Sequence, residues 1–397
     1  MLLRALSFLA IAALLLAAKA LPDAGARRRF VVLSCASPML LVYSAEARPY
    51  ALLSALGLAL FLLSLTGEER RPRLAAAAIL AAAALYTHYL AIFLLGSLAA
   101  VALARRRFRS AAALFASAAL FAPWVPVFLR QPAEAVAWMH EPLLVSAGSF
   151  LSALGGVGRL PDPLGGPLPR ALVWAALAVG ALLSWAVTAR REPAVRDAAA
   201  VALLTLAAVL AASALRPLAF PGRTELTVLP IWLWAVAGAA TLSPLARGAA
   251  VASGICGAAA CALVLAAPRP EPTYAHDARE LAAVAQAGDL VAAAGAFYLP
   301  VRLEADRRAL SATLIGLPAE IEKHPGWIPA RRLAPDDLAR LASMLHGLPP
   351  GSRGFVLLPA PLATADAASI LAGIGRGRVI AQDEARTLWL CEGPAAQ

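Results

Sequence analysis

The sequence YSAEARPY, residues 43–50, places an acid and a base between two long apolar stretches. Ionisable residues at the edge of an apolar segment are costly in a membrane and commonly mark a functional region. Apolar runs dominate the chain on both sides, since 61% of the 397 residues are hydrophobic and 15% are charged. The mean hydropathy is +0.72, whereas soluble domains carry about 25% charged residues. The composition therefore predicts a polytopic membrane protein.

About ten apolar segments follow one another in the first two thirds of the chain. A spanning helix needs about 20 residues, and several of these segments are shorter. The run 74–104 corresponds to roughly 45 Å of helix at 1.5 Å per residue, so we predict a break at the sequence YTHY, residues 86–89. The predicted segments are 3–19, 30–43, 50–65, 74–86, 89–104, 111–129, 171–188, 198–215, 226–242 and 249–266.

Lysine and arginine are concentrated in alternate gaps between these segments, which explains the net charge of +11. The rich gaps contain residues 19–29, 70–73, 105–109, 190–196 and 247. The positive-inside rule makes these gaps cytoplasmic, so nucleic-acid binding is not predicted. The gaps that hold Glu46, Arg48, His88 and Arg223 then face the outside. We expect a multi-pass protein of the bacterial inner membrane, with everything after Pro268 extracytoplasmic.

The same rule makes the first helix run inward from an outer Met1. A cleaved signal peptide is the competing interpretation, because Arg4, the apolar run that follows it and the triplet AKA at 18–20 fit that pattern. Cleavage would place the arginines at 27–29 outside. It would also move every later arginine cluster to the opposite side of the membrane, against the positive-inside rule. We therefore favour a preceding N-terminal segment that contains an odd number of helices.

A proline-rich linker at 268–274 separates this predicted transmembrane domain, 1–267, from a less apolar domain at 275–397. Helices alternate there with short buried strands, which predicts a small open α/β sheet. No GxGxxG pattern is present, and the four cysteines are scattered, so neither a dinucleotide site nor a disulfide framework is predicted. The predicted helices are 276–286, 335–346 and 364–373, and the predicted strands are 290–294, 354–358, 379–382 and 387–391.

Arg48 precedes Pro49, which suits the first turn of a helix because proline lacks an N–H group. A helix N-terminus favours an anion, and a planar guanidinium binds phosphate through two parallel hydrogen bonds. Glu46 is able to orient Arg48, ligate a divalent cation or accept a proton. The structural alternative is that Glu46 and Arg48 pair with each other or anchor the interface.

Other candidates lie on the same predicted face. His88 stands between Tyr86 and Tyr89, which is typical either of a binding site or of an interfacial aromatic belt. Arg223, at a helix entrance, suits a second phosphate contact or a helix cap. The long loop between the predicted segments 111–129 and 171–188 adds three residues that suit either sugar binding or a plain interfacial loop: Trp138, His140 and Glu141.

The sequence YSAEARPYALL at 43–53, followed by LYTHY at 85–89, resembles the bacterial membrane glycosyltransferases of the GT-C fold. These are relatives of protein O-mannosyltransferases, aminoarabinose transferases and rhizobial galacturonosyltransferases. The family shows YSQEARxYALL and then LYTHY one helix pair later. The sequence RTELTVLP at 223–230 is similar to the family's later RYLLPALP, with Thr224 in place of tyrosine. The resemblance covers most of the first 245 residues, and it implies an α-helical GT-C-like membrane fold with a small C-terminal α/β domain.

The resemblance implies transfer of a sugar from a polyprenyl-phosphate donor to a lipid, glycan or protein acceptor on the outer face, in contact with membrane lipids. In such enzymes a carboxylate activates the acceptor while cationic groups hold the departing phosphate. No cofactor is implied, although a divalent cation is compatible with the site. The candidate substrate-binding residues are Glu46, Arg48, Tyr50, Tyr86, His88, Tyr89 and Arg223, and Glu46 is also the candidate catalytic carboxylate.

The chain departs from the family pattern at its start. The family's catalytic acid lies in the first extracytoplasmic loop, between the first two helices, whereas residues 4–18 here already resemble the second helix. We therefore expect the chain alone to be inactive or much weakened. The rival functions are a non-catalytic membrane assembly factor and a transporter of lipid-linked sugars, although no internal repeat of the kind transporters show is found.

Overall fold

The computed structural model describes residues 2–21, 23–46, 48–129, 142–158, 167–188, 192–215, 217–266, 273–323, 333–359, 377–382 and 386–392. Within these residues the chain divides into two compact units, one before residue 267 and one after residue 272. The first unit is helical, and the second contains a five-stranded sheet. Most of the predicted linker lies outside the described residues.

The first unit consists of helices that follow the apolar segments of the sequence. Short 3₁₀ helices at Ala17–Ala20, Ala122–Trp124 and Thr224–Thr227 lie between some of them. The α-helices are α1 (Leu2–Leu16), α2 (Ala24–Cys35), α3 (Pro38–Ala45), α4 (Tyr50–Leu65), α5 (Arg71–Thr87), α6 (Ala91–Ala104), α7 (Phe108–Phe121), α8 (Val125–Leu129), α9 (Leu143–Leu154), α10 (Pro167–Thr188), α11 (Pro193–Ser213), α12 (Leu229–Leu242) and α13 (Pro244–Ala266).

In the described part of the chain, 4 stretches are long and apolar enough to cross a membrane by length and composition. They are Phe108–Val127, Leu168–Thr188, Pro193–Ser213 and Pro244–Ala266. Shorter apolar helices cover several of the other predicted segments, including α4, α6 and α12. A polytopic membrane protein is consistent with these helices, and within the described residues the other predicted segments form shorter helices.

The predicted segment 30–43 is wrong as a single helix. The chain leaves α2 after Cys35, and α3 begins at Pro38. Ser37 caps α3 by accepting a hydrogen bond from the N–H group of Leu40 at 3.4 Å. Proline at the first position of a helix has no N–H group to continue the preceding hydrogen-bond ladder. The break predicted at residues 86–89 is confirmed, because α5 ends at Thr87 and His88 has an extended backbone.

The core of the first unit is built around α12. Every residue of this helix from Leu229 to Ala240 is buried, and the fully buried indole of Trp232 donates to the carbonyl of Leu154 in α9 at 2.9 Å. Helices α9 and α10 approach through glycines, since a Cβ atom added at Gly180 would lie 2.0 Å from the carbonyl oxygen of Leu151. Small residues allow such close approach of helices in membranes.

Arginine-rich turns meet at one end of the first unit. Arg105, after α6, bonds through Nε to both carboxylate oxygens of Asp197 in α11, at 3.0 and 2.9 Å. Arg107 donates to the carbonyl of Gly67, after α4, at 2.7 Å. We call this the arginine-rich end. Turns that the positive-inside pattern assigns to one face therefore lie together.

The connection between α3 and α4 lies at the opposite end. Ser7, near the start of α1, donates to the carbonyl of Glu46 at 2.7 Å. Arg223, before α12, donates to the hydroxyl of Tyr43 at 3.3 Å. Helix α1 therefore begins at the end that holds Glu46. The sequence predicts the same arrangement, because it places Met1 and Glu46 on one side of the membrane. We call this the site end.

The second unit is a mixed sheet with the strand order β2-β1-β3-β5-β4. Strand β1 is parallel to β2 and β3, whereas β5 is antiparallel to β3 and β4. In the register, Ala292 lies opposite Ile315 and Val356. The elements are α14 (Thr273–Val284), β1 (Leu290–Ala294), α15 (Tyr298–Arg307), β2 (Thr313–Leu317), α16 (Glu320–Lys323), α17 (Pro335–His346), β3 (Arg353–Pro359), β4 (Gly377–Gln382) and β5 (Arg386–Glu392).

All four predicted strands are present in this unit, together with predicted helices that correspond to α14 and α17. The sequence did not predict β2 or α15. Strand β2 is only partly buried at its start and is followed directly by Pro318, so it lacks the continuous apolar run that marks the other strands. The predicted helix 364–373 lies outside the described residues.

Candidate functional site

The connection between α3 and α4 is held by backbone contacts. Glu46 is the C-cap residue of α3, and Pro49 is the N-cap residue of α4. The buried hydroxyl of Ser7 lies 2.7 Å from the carbonyl oxygen of Glu46 and 3.4 Å from that of Arg48. One side chain of α1 therefore fixes both ends of this short turn.

Glu46 and Arg48 form an ion pair across the turn. Arg48 Nε lies 3.2 Å from Glu46 Oε2, and the two side chains are 46% and 37% exposed, respectively. Oε2 is buried, and Arg48 is not aligned to donate a hydrogen bond to it. The contact is thus an ion pair without an aligned hydrogen bond. It corresponds to the structural alternative that the sequence left open, and a bound anion is able to compete for the guanidinium.

Arg223 contacts Phe220 of its own turn and two tyrosines from other helices, Tyr43 in α3 and Tyr50 at the start of α4. Its guanidinium carbon is 4.0 Å from the ring centroid of Phe220 and 5.8 Å from that of Tyr50. Tyr50 contacts Tyr43 edge-on at 5.3 Å, and its ring lies 5.1 Å from that of His88. We call these five residues, Tyr43, Tyr50, His88, Phe220 and Arg223, the Arg223 cluster. The structure therefore brings three predicted site residues, Tyr50, His88 and Arg223, into one group.

The neighbouring backbone selects the tautomer of His88. The N–H group of Leu90 donates to Nδ1 of His88 at 3.1 Å. A ring nitrogen that accepts a hydrogen bond carries no proton, so the neutral imidazole carries its proton on Nε2. His88 therefore has a donor on the nitrogen that is not used by the backbone.

The turn that carries Arg223 is stabilised by its own side chains. Thr224 Oγ1 accepts from the N–H group of Phe220 at 2.9 Å. The carboxylate of Glu225 accepts from the N–H group of Gly222 at 3.1 and 2.9 Å, and Gly222 has the positive φ of 86° that favours glycine. Thr224, which replaces the tyrosine of the family pattern, therefore closes the turn.

This turn is also anchored to α4. Ser54 Oγ donates to the carbonyl of Leu226 at 2.7 Å. A Cβ atom added at Gly57 would lie 2.8 Å from the carbonyl oxygen of Thr227. The 3₁₀ helix Thr224–Thr227 therefore lies directly against α4, the helix that carries Tyr50 at its first position.

Tyr86 and Tyr89 contact a second aromatic group. The hydroxyl of Tyr86 donates to the carbonyl of Leu120 at 3.1 Å, and its ring lies 5.1 Å from Phe121. Tyr89 accepts a hydrogen bond from the indole of Trp124 at 3.1 Å. The YTHY sequence is thus divided, because His88 packs in the Arg223 cluster, whereas Tyr86 contacts the end of α7 and Tyr89 contacts the 3₁₀ helix that follows it.

Some residues of the site were not singled out from the sequence. Phe220 and Glu225 flank Arg223. An acidic residue at the start of an apolar segment could have marked Glu225 as a candidate site residue. Ser149 carried no such signal, because its hydroxyl reaches Glu225 from a helix 76 positions earlier. No group of three or more His, Cys, Asp or Glu residues that could hold a metal is found among the described residues. The predicted loop residues Trp138, His140 and Glu141 lie outside the described residues.

Two solved structures are similar to the whole chain. The crystal structure of ArnT from Cupriavidus metallidurans in the apo state has a TM-score of 0.58, and the same protein bound to undecaprenyl phosphate has a TM-score of 0.55. Each is 14% identical to the chain, and each match covers 99% of this chain and 84% of the other. No protein-family model and no curated protein matches the sequence.

ArnT is an aminoarabinose transferase of the GT-C fold. At this level of identity the similarity establishes the fold. The predicted fold class is confirmed: an α-helical membrane protein of GT-C architecture with a small C-terminal region of mixed sheet and helices.

Proposed function

We propose that this protein is an integral-membrane glycosyltransferase that moves a sugar from a polyprenyl-phosphate donor to a lipid, glycan or protein acceptor. The observation that carries the proposal is the Arg223 cluster, in which Arg223 meets Tyr43 and Tyr50 at the end of the GT-C bundle that also holds the Glu46–Arg48 ion pair. The ArnT structure with bound undecaprenyl phosphate supports a ligand of this class.

The two arginines are the proposed phosphate ligands. Arg223 is oriented by its bond to the Tyr43 hydroxyl and by stacking on Phe220. A guanidinium with a fixed plane suits the paired oxygens of a phosphate. Arg48 is less constrained, since its side chain is partly exposed and its ion pair with Glu46 lacks an aligned hydrogen bond. Phosphate that binds Arg48 competes with Glu46, and so it releases the carboxylate.

Glu46 is the proposed carboxylate that receives the acceptor proton. In the transfer step the acceptor oxygen forms a bond to the anomeric carbon while its proton passes to Glu46. The bond from that carbon to the phosphate oxygen breaks, and the polyprenyl phosphate leaves with its negative charge against Arg48 and Arg223. Nε2–H of His88 is a further donor for phosphate or sugar oxygens. General-base assistance and charge stabilisation of this kind are typical of group transfer.

Tyr86 and Tyr89 belong to the proposed binding region through the neighbouring aromatic group. Aromatic rings at a membrane interface suit contact with sugars and with lipid. The assignment of the site end to the outer face of a bacterial inner membrane, with the unit after residue 272 also outside, is likewise part of the proposal. So is the division into a transmembrane domain 1–267, a linker 268–274 and an extracytoplasmic domain 275–397. The separation of the arginine-rich turns from the site end supports the orientation of the first unit, and the two compact units of the described chain support the domain boundaries.

The proposal is tested with the full chain in lipid nanodiscs and undecaprenyl phosphate as the probe. We expect binding in the low-micromolar range or tighter, weakened at least tenfold by Arg223→Ala and by Arg48→Ala, where tenfold corresponds to about 1.4 kcal/mol. Arg70→Ala is the matched control, because Arg70 pairs with Glu68 on an exposed turn near the arginine-rich end.

Transfer is measured separately with a panel of undecaprenyl-phosphate-linked hexoses and pentoses. Binding without transfer would agree both with the expectation that the chain alone is inactive or much weakened and with the alternative that it is a non-catalytic membrane assembly factor, whereas transfer would exclude the assembly factor. The absence of undecaprenyl phosphate binding by the unaltered chain would contradict the proposed function.

A further inference from the structure

Glu225 is a buried carboxylate beside the proposed phosphate ligand. It is 1% exposed, and its oxygens accept hydrogen bonds from the N–H group of Gly222 and from the hydroxyl of Ser149 at 2.7 Å. Burying a carboxylate is costly unless its oxygens are satisfied in this way. Such a group needs a reason, and the transfer step described above does not use it.

The contacts of Glu225 join two separate parts of the chain. Gly222 belongs to the turn before α12, whereas Ser149 belongs to α9. Arg223 lies between Gly222 and Glu225 in this turn. Because the backbone on both sides of Arg223 is held, the start of its side chain has a fixed position.

Arg223 needs such support because its side chain is long. A free arginine side chain has considerable rotamer entropy, and a ligand that must order it binds correspondingly less tightly. The contacts of the guanidinium with Tyr43 and Phe220 restrict its far end. The Glu225 carboxylate restricts the backbone from which it starts.

We propose that Glu225, held by Ser149, is a positioning residue that orients Arg223 for the phosphate group of the polyprenyl ligand. The inference deepens the proposed function and rests on it, since the ligand is the same. It assigns roles to two residues, one of them on a helix outside the family-like motifs. Neither residue touches the ligand in this assignment.

The experiment compares two probes, undecaprenyl phosphate and the uncharged alcohol undecaprenol, on the full chain in nanodiscs. A positioning role for Arg223 predicts a loss that is confined to the phosphate. We expect Ser149→Ala to weaken undecaprenyl phosphate binding about three- to tenfold and Glu225→Ala to weaken it more than tenfold, with undecaprenol binding unchanged. A tenfold loss corresponds to about 1.4 kcal/mol.

Two further variants make the test specific. Glu225→Gln keeps one oxygen acceptor but places an amide donor where Gly222 donates, so we expect an affinity between those of the unaltered chain and Glu225→Ala. Ser146→Ala is the matched control, because Ser146 is fully buried one turn earlier in α9 and its hydroxyl has no hydrogen-bond partner among the described residues. It should bind both probes normally.

The outcomes separate the inference from the proposed function. If the unaltered chain binds no undecaprenyl phosphate, the proposed function fails. If it binds, but Ser149→Ala and Glu225→Gln bind as tightly as the unaltered chain, the positioning role is overturned while the function stands. Equal losses for undecaprenyl phosphate and undecaprenol would indicate a purely structural role and would also overturn it. Ser149→Ala keeps the test decisive even if Glu225→Ala does not fold.

Discussion

The guanidinium of Arg223 shows how one side chain depends on residues far away in sequence. Its contacts come from Tyr43 in α3, from Tyr50 at the start of α4 and from Phe220 in its own turn. A cation over aromatic faces is stabilised most where water is excluded. These contacts hold the group at the site end of the unit, which also carries Glu46 and Arg48.

The Tyr43 hydroxyl provides a test of this orientation. Tyr43→Phe removes the acceptor for Arg223 Nε but keeps the ring, and a hydrogen bond to a charged group contributes about 1.5–3 kcal/mol. We expect roughly tenfold weaker binding of undecaprenyl phosphate, measured by titration in nanodiscs. Tyr298→Phe in the second unit removes a hydroxyl that likewise accepts a hydrogen bond from an arginine, Arg302, and serves as the control. An unchanged affinity for Tyr43→Phe would show that Arg223 does not need this contact.

Asp289 provides a pH-dependent test in the second unit. Burial raises the pKa of this carboxyl, but hydrogen bonds from Arg353 and from the backbone of Gln286 outweigh it, so its pKa lies below the usual value. The stabilisation is therefore present above the unfolded pKa of about 3.9 and is lost as the pH falls through the lower folded pKa.

We expect Asp289→Asn to destabilise β1 and β3 by about 1–3 kcal/mol at neutral pH, because an amide cannot satisfy both donors of Arg353. Hydrogen exchange of these strands in the full chain, compared between the two proteins at the same pH, measures the effect. The difference should decrease as the pH falls below the usual pKa of an aspartic acid and through the lower pKa of Asp289 in the folded chain. A difference that does not change with pH would exclude the ion pair as its cause.

At the scale of elements, the contacts of helices α9 and α10 depend on glycine. A Cβ atom at Gly155 would lie 1.9 Å from the carbonyl oxygen of Ala176, and one at Gly180 would lie 2.0 Å from that of Leu151. Backbone atoms cannot move aside as a flexible side chain can. The close approach also positions Ser149, which lies on the same helix as Leu151.

Substitution of one of these glycines tests the packing. Gly180→Ala should destabilise the unit by about 1–3 kcal/mol or more through overpacking, which lowers the melting temperature by about 2–4 °C per kcal/mol. The matched control is Gly148→Ala in α9, where an added Cβ meets nothing within 4 Å and alanine favours the helix. The measurement is thermal unfolding of the full chain in detergent, and equal melting temperatures for the two variants would contradict the close contact.

At the scale of the whole molecule, the first unit has two chemically different ends. The arginine-rich end holds Arg105, Arg107 and the Arg105–Asp197 pair, and the site end holds the Glu46 turn and the Arg223 cluster. The positive-inside rule assigns the arginine-rich end to the cytoplasm. Under the proposed function, this assignment predicts that the donor and the acceptor reach the site from the outer side of the membrane.

Cysteine labelling tests the orientation in a chain whose native cysteines are replaced by alanine. We expect a membrane-impermeant maleimide to label Ala45→Cys at the site end and Arg279→Cys in the second unit on intact spheroplasts. Glu68→Cys, at an exposed position near the arginine-rich end, should be labelled only after lysis. Labelling of Glu68→Cys on intact spheroplasts would reverse the proposed topology.

Local patterns in the sequence were sufficient for the class of protein and for many of its elements. Long apolar runs predict helices in a membrane, and the YTHY sequence marks the end of α5 because a single helix through it would be too long. Four short apolar runs predict strands of the second unit. The same patterns failed at Ser37 and Pro38, where a proline inside an apolar run divides one predicted segment into two helices.

The sequence by itself determined the membrane class, the GT-C resemblance and the position of Glu46, Arg48 and Arg223 at the ends of apolar segments. Only the tertiary structure decided that Arg223 meets Tyr43 across 180 positions of sequence, that Tyr86 and Tyr89 separate from His88, and that Ser149 supports Glu225. Hydrophobic periodicity depends on neighbours within a few turns of the chain. Contacts between distant segments depend on how whole helices pack, and glycines and small side chains set that packing through shape.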